Sequence, residues 1–432
     1  MTPAPKLELR CAFCGSPTTM LIHAPISTVT AGNLELRARV TLQGADSECF
    51  YAVPEKYADF ADTSSANCFL VGLLYPAMRH GEDIHVEGKV SAQLLYNLDH
   101  YLIPLMATCD ARLHRIHVTA DSVDSHGWQG AAAVGTGFSG GIDSFTTIYE
   151  HFAQPTPAGH RLTHLFFFNV GAHGIPKKEG DLQAIERQFH ARYEKLKPFA
   201  DEAGLDFIQV NSDVHKFHPW GHLEVATFAT VSAVMFLQRG IRRYYVASSG
   251  HTYQQLWHFL GGHGRPDAIE RMNMLLLPWL STESLDLVDD GTLYDRSQKT
   301  ALIADYAPAA RYLNVCYGHD TLNTNCSVCL KCVKTLLTLE LLGKLDAFAG
   351  VFDIAKYRRV ARRRFIAETL VSEKRNLFSA HLMDLARERH IDLRREVSWL
   401  DILRARLLDG RIHSLIRNNR LLKKFAQWVF KS

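Results

Sequence analysis

Short apolar runs alternate with longer amphipathic segments through the middle of the chain. The runs have the length and bounds of buried strands, and the longer segments have apolar residues at helical spacing. Strands separated by helices are typical of a parallel sheet with helices on both faces. The predicted strands are residues 131–138, 165–169, 207–211 and 243–248, and the predicted helices are residues 145–151, 177–203 and 224–238.

The two flanking regions have different patterns. Residues 34–42 alternate apolar and polar side chains, as a half-buried strand does. Residues 83–87 and 115–119 predict two more strands, with an amphipathic helix at 91–106 between them. We therefore expect three parts: a mixed α/β N-terminal accessory domain at 1–125, an α/β domain at 126–349 and a basic helical region at 350–432.

Charge separates the last part from the rest. The 432-residue chain has a net charge of +3, yet residues 356–432 carry 20 of its 48 basic and only 8 of its 45 acidic residues. Two interpretations of this basic region stay open: it binds nucleic acid or an acidic protein, or it packs on the acidic body of its own chain. No apolar leader or membrane-length run occurs, which predicts a cytoplasmic protein without a membrane partner.

A turn from Ser139 to Ser144 lies between a predicted strand and a predicted helix. Such a turn directs free backbone N–H groups and the positive end of the helix dipole at one point, which favours phosphate. Gly140 and Gly141 allow the backbone to approach a ligand closely. The two serines offer hydroxyl donors, and Asp143 is suited to capping the helix or to holding a Mg²⁺ that bridges to phosphates.

Three motifs compete for this turn, besides a plain glycine–serine turn. A Walker A loop is absent from the sequence. Gly135, Gly137 and Gly140 spell the dinucleotide fingerprint, but the next predicted strand ends at Asn169 and Gly171 without the acidic residue that this motif requires. The third motif, S-G-G-x-D-S, resembles the PP-loop of the ATP pyrophosphatases, which cleave ATP to AMP and pyrophosphate.

Ligands of parallel sheets bind beyond the carboxyl ends of the strands. With ATP phosphates on the Ser139–Ser144 turn, we expect Asn169 and Gly171 to meet the nucleotide and Ser249 and Gly250 to line the opposite wall. Thr282 and Glu283, with Arg296 and Lys299, are expected to put opposite charges near the same rim. A cation there stabilises departing pyrophosphate, or the charges form a surface ion pair.

Four late cysteines have the spacing of a metal site. Nine residues separate Cys316 from Cys326, and two residues separate each next pair up to Cys329 and Cys332. Four thiolates satisfy tetrahedral Zn²⁺, and a [4Fe–4S] cluster is the alternative. Cys11 and Cys14 form a lone C-x2-C pair, for which no second pair lies nearby in the sequence.

The PP-loop followed by this cysteine pattern resembles the QueC family over roughly residues 130–345. The resemblance implies a PP-loop/HUP-like Rossmann-type domain that uses ATP, Mg²⁺ and Zn²⁺ to convert 7-carboxy-7-deazaguanine and ammonia into 7-cyano-7-deazaguanine. It also implies catalytic roles for Ser139, Asp143 and Ser144. The added flanking regions resemble the QueC-like proteins of bacterial anti-phage operons, so the attacking nitrogen is either ammonia or an amine on a protein partner from the same operon.

Two other functions remain open at this point. A PP-loop enzyme that transfers sulfur to tRNA would need a redox-active cysteine near the loop, and Cys109 is the one closest in sequence. A nucleotide-sensing subunit of a defence complex would bind ATP without turnover and dock through its basic region.

Overall fold

A computed structural model describes residues 19–173, 181–220, 222–248, 252–260, 272–316 and 324–408. Within these ranges eleven strands form one continuous mixed sheet, most of whose strand pairs are parallel. The strands are β1 Thr19–Ile22, β2 Ile26–Thr30, β3 Asn33–Leu42, β4 Ala45–Pro54, β5 Asp83–Ser91, β6 Val118–Asp124, β7 Ala133–Gly137, β8 His164–Asn169, β9 Asp206–Ser212, β10 Ile241–Ala247 and β11 Asp286–Asp290.

Helices cover both faces of this sheet. They are α1 Asn67–His80, α2 Ala92–Asn97, α3 Ile103–Cys109, α4 Ile142–Ile148, α5 Asp181–Ala203, α6 His222–Phe236, α7 Tyr253–Leu260, α8 Asn273–Leu280, α9 Arg296–Ile303, α10 Ala307–Tyr312, α11 Leu330–Leu341, α12 Ile354–Lys356, α13 Arg362–Ser372, α14 Leu377–Glu388 and α15 Trp399–Leu408. Among the described residues, none of the helices has both the length and the apolarity needed to cross a membrane.

The predicted α/β class with a largely parallel sheet is confirmed. Strands β7 to β11 are parallel to one another in the spatial order β9-β8-β7-β10-β11, with β7 in the centre. This order is compatible with a Rossmann-like fold. The helix predicted at 145–151 begins three residues earlier, at Ile142, and continues through a π-helical turn to Ala153.

Two glycines of the dinucleotide fingerprint lie inside β7 rather than in a loop. A Cβ on Gly135 would come within 2.2 Å of the Phe166 ring, and one on Gly137 within 2.9 Å of the Tyr244 hydroxyl. Both glycines are therefore explained by aromatic side chains that pack over the strand. These two glycines of the fingerprint are therefore required by side-chain packing, and they give no evidence for dinucleotide binding.

The N-terminal region extends the same sheet. Strand β4, which the sequence pattern did not reveal, pairs antiparallel with β9 through Tyr51–Ser212 and Ala52–Asn211. A shared core joins buried residues of β3, α1, α6 and α8. The predicted boundary near residue 125 thus coincides with no break in the sheet or core, and the three-domain division stays a prediction.

The C-terminal helices pack on the opposite face. Tyr357, Phe365 and Leu382 belong to the core that α4, α5, α9 and α11 form. Their cations pair with neighbouring acids: Arg362 Nε lies 2.8 Å from Glu340, and Arg363 Nη2 lies 3.5 Å from Asp401. This packing favours the second interpretation of the basic region as far as residue 408, and residues 409–432 lie outside the described part.

Candidate functional site

A cavity of about 450 Å³ opens at the carboxyl ends of β7, β8 and β10. Gly137 and Ala247 end two of these strands, Val170 directly follows the third, and all three residues line the cavity. The chain leaves β7 towards β8 on one side, and β10 lies on the other side. Open α/β sheets bind ligands where the strand order reverses in this way.

The residues that line the cavity fall into two sets beside the two cores, which we call the loop arm and the aromatic arm. The loop arm adjoins the core of α4, α5 and α11, and the aromatic arm adjoins the core of α6 and α8. The loop arm is lined by Ser139, Gly141, Asp143, Ser144, His173, Arg192, Arg296, Asn314, Cys316 and Lys331, and the aromatic arm by Phe166, Phe168, Ala226, Thr227, Thr230, Tyr244, Val246 and Asn273.

Gly140 fixes the sharp turn of the loop. Its φ of +72° lies in the left-handed region, and a Cβ there would come within 2.6 Å of Leu196 Cδ2. Its carbonyl oxygen accepts a 2.7 Å hydrogen bond from the Asn314 N–H. The turn is therefore held between α5 and the segment that carries Cys316.

The two predicted serines lie together at the start of α4. Ser144 Oγ donates to the Gly141 carbonyl at 3.1 Å, and Ser139 Oγ lies 3.5 Å from Ser144 Oγ. Gly141 is the N-cap and offers no side chain to the first N–H groups of the helix. These N–H groups and the Ser139 hydroxyl are thus available to an anion, and the Ser144 hydroxyl becomes available when it rotates away from the Gly141 carbonyl.

Asp143 faces cations of helix α9. Its carboxylate lies 2.5 Å from Arg296 Nη1 and 3.5 Å from Lys299 Nζ. Asp295 begins α9 with a capping box that includes Gln298, which orients the first turn. Lys299 is only 2 % exposed and also donates to the Ser248 carbonyl at 2.7 Å, so it links Asp143 to the end of β10. Arg296, in contrast, lines the cavity.

Two more cations, which the sequence analysis did not predict, line the loop arm. Arg192 comes from α5, and Lys331 comes from the first turn of α11, between two cysteines. Burial lowers the pKa of Arg192. Burial, and next the Arg296 cation, lower the pKa of Lys331. Three cations therefore meet one carboxylate, Asp143, among the described residues of the lining, which gives the arm a positive potential that attracts polyanions.

The four late cysteines form one cluster. Their sulfurs all lie within 4.8 Å of one another, with Cys316–Cys329 at 3.8 Å, Cys326–Cys332 at 3.9 Å and Cys329–Cys332 at 3.5 Å. Zn–S bonds of about 2.3 Å in a tetrahedron place sulfurs about 3.8 Å apart. The cluster can therefore bind a metal such as zinc.

The cluster also has the surroundings of a metal site. The Cys329 N–H lies 3.2 Å from Cys326 Sγ. Burial, and next the Cys329 sulfur, raise the pKa of Cys332 well above its ordinary value. A bound cation would offset this unfavourable deprotonation. Asn325 braces the loop because its side chain bonds the backbones of Val315 and Leu313 at 2.9 and 2.8 Å.

Two predicted site residues lie outside the cavity lining, and four other candidate residues lie outside the described part of the chain. Asn169 is 5 % exposed and donates to Asn211 at 2.8 Å, and neither it nor Gly171 is among the lining residues. Ser249, Gly250, Cys11 and Cys14 lie outside the described residues.

The expectation that Glu283 lies at the same rim is wrong. Its carboxylate accepts hydrogen bonds from Ser91 Oγ at 2.6 Å and the Gln93 N–H at 2.8 Å. It lines a separate cavity of about 210 Å³ beside Trp128. The loop before β11 carries this side chain to the opposite end of the sheet from the Ser139–Ser144 turn.

Comparisons with known proteins give no further guide. No protein-family model, no curated protein and no solved structure matches the chain. Its function is therefore inferred from the geometry of the cavity and from the two motifs that meet there.

Proposed function

We propose that the protein is a PP-loop ATP pyrophosphatase of the QueC kind, which adenylates a carboxylate and releases pyrophosphate. One observation supports this most. The S-G-G-x-D-S loop and the cysteine loop are far apart in sequence, yet the hydrogen bond from Asn314 to Gly140 joins them at one cavity. Both motifs of the resemblance thus contribute to a single site.

In this proposal the ATP phosphates occupy the loop arm. Ser139, Ser144 and the first N–H groups of α4 bind the phosphate oxygens, and Arg192, Arg296 and Lys331 stabilise the charge that develops on departing pyrophosphate. Mg²⁺ bound with the nucleotide would neutralise further phosphate charge. Asp143 is the residue suited to hold it, because its carboxylate faces the cavity.

The second substrate is a carboxylate on a planar ring, with 7-carboxy-7-deazaguanine as the proposed compound. A carboxylate oxygen attacks the α-phosphorus, the bond from this phosphorus to the bridging oxygen breaks, and pyrophosphate leaves. A nitrogen nucleophile then attacks the acyl carbon, AMP leaves, and the nitrogen loses a proton to give an amide. No protein side chain acts as a covalent nucleophile. Positioning and charge stabilisation supply the catalysis.

The nitrogen donor is either ammonia or an amine on a protein partner. With ammonia the amide forms first; its oxygen then attacks the α-phosphorus of a second ATP, pyrophosphate leaves, and loss of AMP, which carries that oxygen, and of the nitrogen's protons gives the nitrile. The flanking regions favour the protein, because ammonia needs no docking surface. A sulfur-transfer enzyme is less well supported. Cys316 is the one cysteine among the described lining residues, and it belongs to the four-cysteine cluster.

The test incubates the purified protein with ATP, Mg²⁺ and 7-carboxy-7-deazaguanine, with ammonium in one reaction and operon-encoded proteins in a second reaction. Mass spectrometry then searches for the amide or nitrile and for a deazaguanine adduct on a protein. We expect one of these products from the wild type and none from Ser139→Ala. If the carboxylate gives no product and no increase in AMP in either reaction, the proposed substrate is wrong.

A further inference from the structure

One hydrogen-bonded polar pair lies in the aromatic arm, whose lining also includes the hydroxyl-bearing side chains of Thr230 and Tyr244. Thr227 of α6 donates its hydroxyl hydrogen to Asn273 Oδ1 of α8 at 2.6 Å. Thr227 is 4 % and Asn273 7 % exposed, and both line the cavity. A buried pair of this kind costs stability unless all of its polar groups find partners.

The pair leaves one amide group open to the cavity. The Thr227 hydroxyl already occupies the Asn273 carbonyl oxygen, whereas no described residue takes a hydrogen bond from the Asn273 Nδ2 group, which is not one of the fully buried polar atoms without a partner. The hydroxyl contact also fixes which end of the amide faces the cavity. The aromatic arm therefore presents an N–H donor.

The rest of the arm is suited to a flat ring. Phe166, Phe168 and Tyr244 pack against one another with ring centroids 5.9–6.1 Å apart and form one aromatic wall of the arm. Gly137 keeps the Tyr244 hydroxyl close to β7, because a Cβ there would come within 2.9 Å of the oxygen. Aromatic walls select a planar apolar ligand, and one buried donor orients it.

We infer that Asn273, oriented by Thr227, determines specificity by donating a hydrogen bond to an acceptor on the edge of a planar heteroaromatic ring in the aromatic arm. This inference rests on the proposed function, since both adenine of ATP and a deazaguanine present such an acceptor. A ring that offers only N–H donors at this edge would leave the buried amide unpaired and would be rejected.

The test measures binding by isothermal titration calorimetry, with ATP and 7-carboxy-7-deazaguanine as separate probes. The double variant Thr227→Val/Asn273→Leu replaces both partners by apolar groups of similar size, which keeps the packing. We expect it to weaken one probe by about 3- to 10-fold, the range for one neutral hydrogen bond. The probe that loses affinity identifies the occupant.

Two single variants sharpen the result. Asn273→Asp keeps the shape and the bond from Thr227 but turns an acceptor towards the ring, and we expect it to weaken the same probe by at least about 10-fold. Ser232→Ala is the matched control. It removes a buried hydroxyl from the same helix, where the hydroxyl bonds the Ala229 carbonyl away from the cavity lining, and it should leave both affinities unchanged.

The outcomes separate this inference from the function on which it rests. If either probe binds the wild type, and the Thr227 and Asn273 variants bind each probe as tightly as the wild type does, the inference is overturned while the proposed function stands. If neither probe binds the wild type, the proposed function fails and the inference fails with it.

Discussion

Replacing Gly140 by alanine tests how tightly the loop packs. The left-handed φ of +72° costs an alanine about 1–2 kcal/mol. The new Cβ would also lie 2.6 Å from Leu196 Cδ2 and 3.3 Å from Asn314 Cβ, and overpacking of this kind costs about 1–3 kcal/mol. We therefore expect Gly140→Ala to lower the free energy of unfolding by about 2–5 kcal/mol.

Gly204→Ala is the matched control. Gly204 has a φ of +65°, but a Cβ there would have no neighbour within 4 Å, so only the backbone cost of about 1–2 kcal/mol applies. Urea unfolding of both variants isolates the contribution of the clash. Adding Leu196→Ala to Gly140→Ala should relieve that clash, so the double variant should lose less stability than the sum of the two single variants.

Binding provides a second readout of the same change. Leu196 is buried, so a shift of its side chain alone would disturb its own packing. We therefore expect the turn to move away from α5 or to lose its bond to Asn314, and either movement displaces the N–H groups that face the cavity. We expect Gly140→Ala to weaken ATP binding, whereas Gly204→Ala leaves it unchanged. Equal destabilisation by the two substitutions, with equal ATP affinity, would refute the packing described here.

Three further predictions concern charge and metal. Lys331→Met should weaken inorganic pyrophosphate binding by about 10- to 100-fold in calorimetry, the loss of one charge-assisted hydrogen bond, whereas Lys344→Met, outside the cavity lining, should not. The protein should contain one zinc and no labile sulfide by metal and sulfide analysis, and Cys329→Ser should be unstable because metal binding contributes to folding; a stable, metal-free and active Cys329→Ser protein would contradict this. Burial raises the pKa of the Asp289 carboxyl to about 7. The contribution of this carboxyl to the free energy of unfolding is therefore present at low pH, where it is protonated, and is lost as the pH rises through about 7. Asp289→Asn should raise stability in urea at pH 8 but not at pH 4.

The sequence pattern predicts the central strands well because they are apolar on both faces. Residues of β8 from Leu165 to Asn169 are all buried, and such a run needs no partner to be recognised. Strand β4 is different. Its first half is mostly polar and exposed, and within the described residues the pairing of Tyr51 and Ala52 with β9 joins the N-terminal strands to the parallel strands.

The site was predicted where a motif names its residues and missed where tertiary packing selects them. Asn169 looked suited to a ligand, but the register of β8 against β9 puts it opposite Asn211, which takes up its amide. Arg192 did carry a signal. It lies three residues after Phe189 and four before Leu196, so a cation occupies the buried stripe of α5.

The most direct test of the account is the bond at which ATP is cleaved. ³¹P NMR of the zinc-loaded protein with ATP, Mg²⁺ and 7-carboxy-7-deazaguanine, with ammonium or partner protein present, would identify the phosphorus products. The account predicts AMP and pyrophosphate in equal amounts, both lost in the Ser139→Ala variant. ADP and inorganic phosphate as the first products would contradict it, because they require attack at the γ-phosphorus.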